Sequence, residues 1–554
     1  MTEMSNRDGA QNVTNDSKDQ MVKGSAWMTA GSIFSRILGA IYIIPWGIWF
    51  GSYFFQGNAL YGKGYNIYSF FLIAAIAGIP SAIAKQVAHY NAINEYGVGF
   101  RLYKHGFVLA ALTGIVCAGI LFFGAPLFDG GDARVIPVLH SLAWAVLIIP
   151  VMSLSRGFFQ GYQQMAPSAI SQFVEQLARV LYMLGSAFII MRVLHGSWIT
   201  AVSQSTFAAC IGAIAGILTL VWYYLKNRST FDALVAGSDN QIVVPAKQLY
   251  QEILQQALPF IVLGAGITIF QLIDQYTFFN FMKGTGITSM RTLNDLFAMF
   301  SVNANKLIMI TVSLSSALAI TAVPLLSEAY TRGDKRDISQ QLTNAMLLFE
   351  FVMIPSALGM AAIAHPLNIL FYGTSHKDLA TAVLAFSSFV SIMLGLFSVT
   401  SAIMQGVSQN KRAVRYFAVG TIVKLALQWP CIHYMGVFGP LVATTIGFIV
   451  ANYLILRWLN QAFGVDFQGI AKKTNGILGF SIAMCIIANL VVEVSSSLFG
   501  HFMAVDSRMG SLLIVVLAVG IAGYLYVYMV LHTRLADTVI GERTARLRRL
   551  LRIK

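Results

Sequence analysis

Nine ionisable side chains stand inside long apolar stretches: basic Arg36, Lys85, Arg156, Arg179, Lys306 and Lys424, and acidic Glu175, Asp274 and Glu350. A charge at the centre of a bilayer costs at least about 2.5–3.5 kcal/mol, so each must face a partner or a watery cavity. Glu175 and Arg179 are four residues apart, share a helix face and read as a structural pair. Arg156 and Lys85 sit near the ends of their stretches, where long side chains can also reach the interface. Arg36 lies among Gly31, Ser32, Ser35 and Gly39, and Lys306 lies beside Asn303 and Asn305; neither has an acid three or four residues away. Two such cations in a cavity would take an anion, and a pyrophosphate held by charge-assisted hydrogen bonds fits best. The competing reading is that Asp274 or Glu350 neutralises one of them.

The elements that must hold these charges follow from composition. Of the 554 residues, 57% are hydrophobic and only 11% charged. Soluble domains carry about 25% charged residues, so lipid must be the solvent for most of this chain. A spanning helix takes roughly 20 apolar residues. On that measure the chain is an all-α polytopic membrane protein with fourteen transmembrane helices. The predicted spans are 25–49, 65–89, 104–125, 136–156, 167–191, 199–223, 256–281, 300–325, 340–364, 379–404, 414–434, 437–457, 475–496 and 510–531. The net charge of +14 would suggest nucleic acid in a soluble protein, but here it sits in the polar breaks and the C-terminal tail, and no nucleic-acid partner is expected. Cys117, Cys210, Cys431 and Cys485 are widely spaced within apolar stretches, which is neither a disulfide framework nor a metal cluster. Residues 1–24 read as a disordered terminus with no cleavable signal peptide.

Orientation follows from the basic residues of the breaks. Clusters such as Arg332-Lys335-Arg336, Lys411-Arg412-Arg415 and the tail arginines 543, 546, 548, 549 and 552 fall on alternate connections. The other side holds only isolated basic residues, Lys63, Arg134, Arg192, Lys283, Arg291, Lys377 and Arg508. Both termini are therefore expected in the cytoplasm, with the basic tail 533–554 beside anionic headgroups or acting as a simple stop-transfer flank.

The chain also repeats itself. Gln160-Gly161 after the fourth span matches Gln405-Gly406 after the tenth; Ala125-Pro126-Leu127 matches His365-Pro366-Leu367; Pro80 to Ala84 matches Ser315 to Ala319. Residues 25–225 and 256–460 thus read as two six-helix lobes of the same orientation, joined by a linker at 226–255, with the last two spans in 461–532 as an appendage. Parallel halves of this kind place a substrate between them and rock. The repeat also equates two cations, since Arg179 stands eighteen residues after Gly161 and Lys424 eighteen after Gly406. The residue equivalent to Glu175 is Gly420, so Lys424 must find an acid on another helix. Asp274 and Glu350 are the candidates, and the polar neighbours Gln271 and Gln275 favour Asp274.

Several segments carry a family resemblance. SIFSRILG (32–39) resembles the first-helix motif of the MurJ-type lipid II flippases, ANKLIMITVSLSSALAITAVPLLSEAYTRGD (304–334) their eighth-helix region, and GVFGPLVATTIGFIVANYLIL (436–456) their twelfth. QGYQQMAPSAISQFVEQLARV (160–180) is similar to the Gram-positive polysaccharide-transport branch that includes the sporulation protein SpoVB. All belong to the multidrug/oligosaccharidyl-lipid/polysaccharide exporter superfamily. The resemblance implies two lobes around a cationic cavity, with the last two spans forming a groove for a lipid tail. It implies an undecaprenyl-pyrophosphate-linked peptidoglycan precursor, lipid II, moved from the inner to the outer leaflet of the bacterial cytoplasmic membrane by alternating access. A monomer is expected, without a cofactor, coupled to membrane potential, sodium or protons. Lys306 falls where the family has a required arginine, and Arg36 within the first-helix motif. Where the family has further charged residues this chain has Tyr42-Ile43 and Leu72-Ile73, a deficit that Lys85 would offset. Some members bind sodium among spans 7, 11 and 12; Lys424 falls near such a ligand, so its ammonium would replace the ion and pair with Asp274.

Competing classes are a flippase for another lipid-linked polysaccharide precursor, a multidrug or organic-cation antiporter of the same superfamily, a transport-inactive scaffold, and a membrane enzyme. An antiporter would show uncompensated carboxylates, whereas cations outnumber acids here. The chain has no HExxH, no P-loop lysine, no Asp-x-Asp site and no loop long enough to house a catalytic domain.

Overall fold

The computed structural model describes residues 38, 39, 41–76, 78–239, 242, 258–500, 504, 506–540, 544, 548 and 549. Every regular element among them is helical. The chain divides into two compact units, Met1–Thr268 and Ile269–Lys554. Among the described residues, eleven helices are long and apolar enough to cross a membrane, or twelve if one bent pair is a single span. One of these, Asn410–Phe463, holds two of the predicted spans on either side of Gly436, where φ is +56°. The fourteen-span expectation is consistent with this arrangement, though most of the first predicted span lies outside the described residues.

In the first unit the membrane helices are α1 (Ile43–Phe50), α2 (Phe54–Ile76), α3 (Ile79–Ala92), α4 (Tyr96–Phe123), α5 (Val135–Gly161), α6 (Met165–Phe188) and α7 (Trp198–Lys226). Two features differ from the sequence expectation. Helix α2 begins at Phe54, eleven residues before the predicted start of the second span at 65. FFQGNALYGKGYN reads as a loop because it is rich in glycine and polar residues. Those small residues instead let α2 press against α5: a methyl group at Gly64 would stand 2.4 Å from Val138 Cγ1. Lys63 is buried there, and its Nζ donates to Asp132 Oδ2 at 2.9 Å.

The second difference is a break. Gly78 takes φ +76°, which glycine adopts without strain, and Pro80 starts α3 in the first turn, where its missing N–H is not needed. A break inside a membrane frees backbone carbonyls that water cannot reach. The Thr113 hydroxyl of α4 donates to the Ala75 carbonyl at 2.8 Å and fills that need.

Asp132 lies outside the spans, between the short helix Ala125–Phe128 and α5. Burial pushes its carboxyl up, but hydrogen bonds from Arg134 and Lys63 win and hold it at about 2. A carboxyl depressed in the folded state stabilises above its unfolded value of about 4 and loses that contribution as pH falls toward 2. Asp132→Asn, which removes the carboxylate charge paired with the buried Lys63 ammonium, is expected to cost about 3 kcal/mol at neutral pH. The Tm difference between wild type and Asp132→Asn is expected to shrink between about pH 4 and pH 2; a pH-independent difference would contradict the pairing.

In the second unit the helices are α8 (Gly266–Lys283), which starts just before the division, α9 (Met290–Phe297), α10 (Asn305–Arg332), α11 (Lys335–Ala362), α12 (Lys377–Gly406), α13 (Asn410–Met435), α14 (Gly439–Phe463), α15 (Phe467–Phe499) and α16 (Arg508–His532). Helix α8 is the second half of the bent pair: Leu258–Gly264 meets it at 64° across Ala265, between Gly264 and Gly266. Such kinks concentrate at glycine. The predicted eighth span, 300–325, is part of a longer rod. Residues Ala298–Ala304 form a π-helical segment that joins α9 to α10. A π segment widens the helix and leaves carbonyls misaligned; the Tyr372 hydroxyl donates to the Asn303 carbonyl at 2.7 Å.

Candidate functional site

Helices α13 and α14 cross where Gly420 faces Gly447. A methyl group at Gly420 would stand 2.4 Å from the Gly447 carbonyl oxygen, so only glycine allows this approach. The close crossing sets the second unit's buried charge. Lys424, one turn after Gly420, is 0% exposed. Its Nζ donates to Asp274 Oδ1 of α8 at 2.8 Å and to Thr444 Oγ1 of α14 at 2.5 Å. It also lies 4.9 Å from the centre of the Phe270 ring, within cation–π range. Gln428, one turn further on, donates to Asp274 Oδ1 at 2.8 Å and to Thr277 Oγ1 at 3.0 Å. Phe270, Phe397, Phe417 and Phe448 pack together beside it and exclude water. The ammonium thus has one carboxylate, one hydroxyl and one ring around it.

Glu350, the other acid offered for Lys424, points elsewhere. It accepts a hydrogen bond from Thr474 of α15, and among the described residues no basic side chain lies in salt-bridge range of it. Helix α11 packs on α15, so Glu350 faces the appended pair of helices.

The first unit holds a different arrangement. Arg179 Nη2 donates to Glu175 Oε1 at 2.5 Å within α6, as the spacing predicts. Arg156 of α5 takes the other oxygen: its Nη2 donates to Glu175 Oε2 at 2.8 Å, and its Nη2 and Nε donate to Ser171 Oγ at 2.9 and 3.1 Å. Arg156 therefore does not reach for the interface but lies inside the helix bundle. Its space comes from α7, where a side chain at Gly216 would meet Arg156 Nη2 at 3.3 Å and Met152 Sδ at 2.7 Å. Spacing along one helix could not reveal this contact, because it joins two helices.

The remaining candidates are placed as follows. Lys306 is partly exposed in the first turn of α10, directly after the π segment. Lys85 is exposed on α3, with no carboxylate in salt-bridge range among the described residues. Arg36 lies outside the described residues.

Residues 21–330 match the family described as polysaccharide biosynthesis protein. The lipid II flippase MurJ of Bacillus subtilis (strain 168) is 32% identical over 538 residues, which cover 95% of this chain and 97% of that protein. The stage V sporulation protein B of the same organism is 22% identical over 81% of this chain and 86% of its own length. Among solved structures, the lipid II flippase MurJ in its inward closed conformation aligns with a TM-score of 0.58 at 14% identity, covering 90% of this chain and 98% of that one. An inward-facing multidrug resistance transporter of the MATE family aligns at 0.60 and 16% identity, covering 78% and 95%. Buried charges on helices long and apolar enough to cross a membrane, in a fold shared with solved transporters, define a multi-pass α-helical membrane protein. The chain belongs to the polysaccharide biosynthesis protein family.

Proposed function

We propose that this protein is a flippase and not an enzyme: it moves an undecaprenyl-pyrophosphate-linked peptidoglycan precursor, lipid II, from the inner to the outer leaflet of the bacterial cytoplasmic membrane by alternating access. The observation that carries this reading is full-length similarity, 32% identity over 95% of the chain, to the lipid II flippase of Bacillus subtilis. The charge census supports it. Glu175 is shared by two arginines and Asp274 is held by Lys424, which leaves Lys85 without a carboxylate partner among the described residues. Lys306 and Arg36 are the proposed pyrophosphate ligands, with Lys85 in support. The protein acts as a monomer with both termini cytoplasmic, and membrane potential, sodium or protons supply the drive.

The MATE-like fold favours a second reading, export of drugs or organic cations. Such a substrate needs a carboxylate to meet it. Of the three intramembrane acids, two are already neutralised by arginine or lysine, which weighs against this reading. Depletion of this protein in a cell that lacks other flippases separates the two. Lipid II exposure on the outer face is expected to fall while the precursor accumulates inside; normal exposure would overturn the peptidoglycan assignment.

A further inference from the structure

Of the three intramembrane acids, Glu175 is met by Arg156 and Arg179, and Asp274 by Lys424. Among the described residues Glu350 is met by a neutral group instead. It is partly exposed on α11, and Thr474 Oγ1 of α15 is in hydrogen-bond contact with its Oε2. The same Thr474 oxygen lies 2.8 Å from the Ile470 carbonyl oxygen, one turn back on α15. A hydroxyl has one hydrogen to donate, whereas a carboxylate and a carbonyl only accept. With Glu350 ionised, Thr474 can serve one of its two acceptors and must leave the other. With Glu350 protonated, both contacts hold at once: the carboxyl O–H donates to Thr474 Oγ1, and the Thr474 hydroxyl donates to the Ile470 carbonyl.

The charged groups around α11 offer Glu350 no other neutralisation. Helix α11 packs against α10, α12, α14, α15 and the short helix Leu535–Ile540. On α10, Lys306 stands in the first turn, and Glu328 and Arg332 pair with each other in the last. On α12, Lys377 and Asp378 stand in the first turn. Arg457 of α14 and Lys472 of α15 are exposed, Lys473 and Glu493 complete α15, and Asp537 of the short helix is held by Arg548. The charges of α11 itself, Lys335, Arg336 and Asp337, are roughly four turns away. None of these groups is in salt-bridge range of Glu350 among the described residues. The rest of the seam is apolar: Met484 and Ala488 of α15 and Tyr526 of α16 share one buried cluster, against which Phe351, next to Glu350, packs. A protonated carboxyl suits such a seam, and an ionised one draws water toward it.

We propose that Glu350 is a proton-binding site that clips the appended helices α15 and α16 to α11, and that the proton is the ion to which this protein couples. Thr474 is the positioning residue. The bound proton completes the chain from Glu350 through Thr474 to Ile470 and keeps the seam shut. Its release to water leaves a carboxylate with one hydroxyl for a partner and loosens the seam. The step makes or breaks only the Glu350 O–H bond, and the partial exposure of Glu350 gives the proton its way in and out. This inference deepens the flippase reading and rests on it for what the loosened helices do to a lipid-linked substrate.

Glutamine supplies a clean variant, because its amide N–H donates to Thr474 as the carboxyl O–H does. Glu350→Gln thus mimics the proton-loaded form. Infrared spectra of the full-length protein in nanodiscs are recorded across pH. Wild type is expected to show a carboxylic-acid carbonyl band that gives way to a carboxylate band as pH rises, and Glu350→Gln is expected to lose both. Thr474→Val keeps the carboxyl but removes its acceptor, and is expected to shift the acid band to higher frequency. In vesicles clamped at zero potential, wild-type movement of the lipid-linked precursor is expected to follow the pH gradient, whereas Glu350→Gln is expected to be indifferent to it. If Glu350→Gln does not fold, Thr474→Val carries the test through its band shift and a weakened gradient response. An acid band that neither variant alters, or a gradient response that survives unchanged in whichever variant folds, would overturn the proposal. If the Glu350 band titrates as expected but wild type moves no precursor under any gradient, the flippase reading fails and the proton site stands.

Discussion

Replacing Lys424 with methionine is expected to lower stability by about 3–5 kcal/mol, because it leaves the Asp274 carboxylate buried without its counter-charge. Methionine matches the length of the lysine stem, so little volume is lost. What is lost is the hydrogen bond at 2.8 Å and the ammonium above the Phe270 ring. Gln428 and Thr444 remain beside the carboxylate, but neither carries charge. The double variant Lys424→Met/Asp274→Asn removes both charges and is expected to recover much of the loss. A smaller replacement carries a sharper expectation. Lys424→Ala opens a space lined by Asp274, Thr444 and Gln428, whose Oε1 has no partner among the described residues. If the ammonium replaces a metal cation there, sodium is expected to raise the Tm of Lys424→Ala and leave wild type unchanged, since a ligand that binds only the folded state stabilises it. Wild-type Tm in Lys424→Met would contradict the burial argument. A sodium-insensitive Lys424→Ala would contradict the replacement.

Lys306→Ala and Arg36→Ala are each expected to abolish transport without loss of membrane insertion. A charge-assisted hydrogen bond contributes roughly 1.5–3 kcal/mol, so losing one phosphate contact costs about 10- to 150-fold in affinity. Lys306 sits where the widened π segment Ala298–Ala304 passes into the regular helix α10. Asn305, which precedes it, is partly exposed, and this suits a polar ligand better than lipid. Lys306→Arg keeps the charge and is expected to retain activity. Lys306→Glu, which repels phosphate, is expected to be as inactive as alanine. Lipid II exposure in cells that depend on this protein, with membrane fractionation as the control, measures all four variants. Full activity in both alanine variants would end the case for these two cations as the pyrophosphate ligands.

Much of the membrane architecture was legible because apolar run length is a direct physical requirement of the bilayer. Among the described residues, the predicted spans from 104 onward fall on helices, with 256–281 on the bent pair and 300–325 starting in the π segment. The start of α2 was hidden because glycine and asparagine read as loop, whereas between packed helices they permit close approach. The break at Gly78 was hidden as well; Pro80 was visible, but the compensating Thr113 hydroxyl comes from another helix. Among the charges, Lys424 and Asp274 could be brought together by elimination, since the repeat denied Lys424 a local acid and only two others lay within apolar stretches. The same reasoning stopped short at Glu175. Its spacing to Arg179 satisfied it locally and concealed that Arg156 takes its second oxygen. Glu350 was legible as an intramembrane acid but not as a partner of Thr474, because neutral hydroxyls leave no charge signature.

Reconstitution decides whether this protein moves a lipid-linked precursor. The purified protein is placed in vesicles that carry undecaprenyl-pyrophosphate-linked peptidoglycan precursor, and headgroup arrival on the far leaflet is followed by an impermeant reagent. Wild type is expected to move the headgroup across, with Lys306→Ala indistinguishable from protein-free vesicles. Wild type that moves no more precursor than protein-free vesicles, under an imposed potential and with sodium and proton gradients supplied in turn, would overturn the flippase reading.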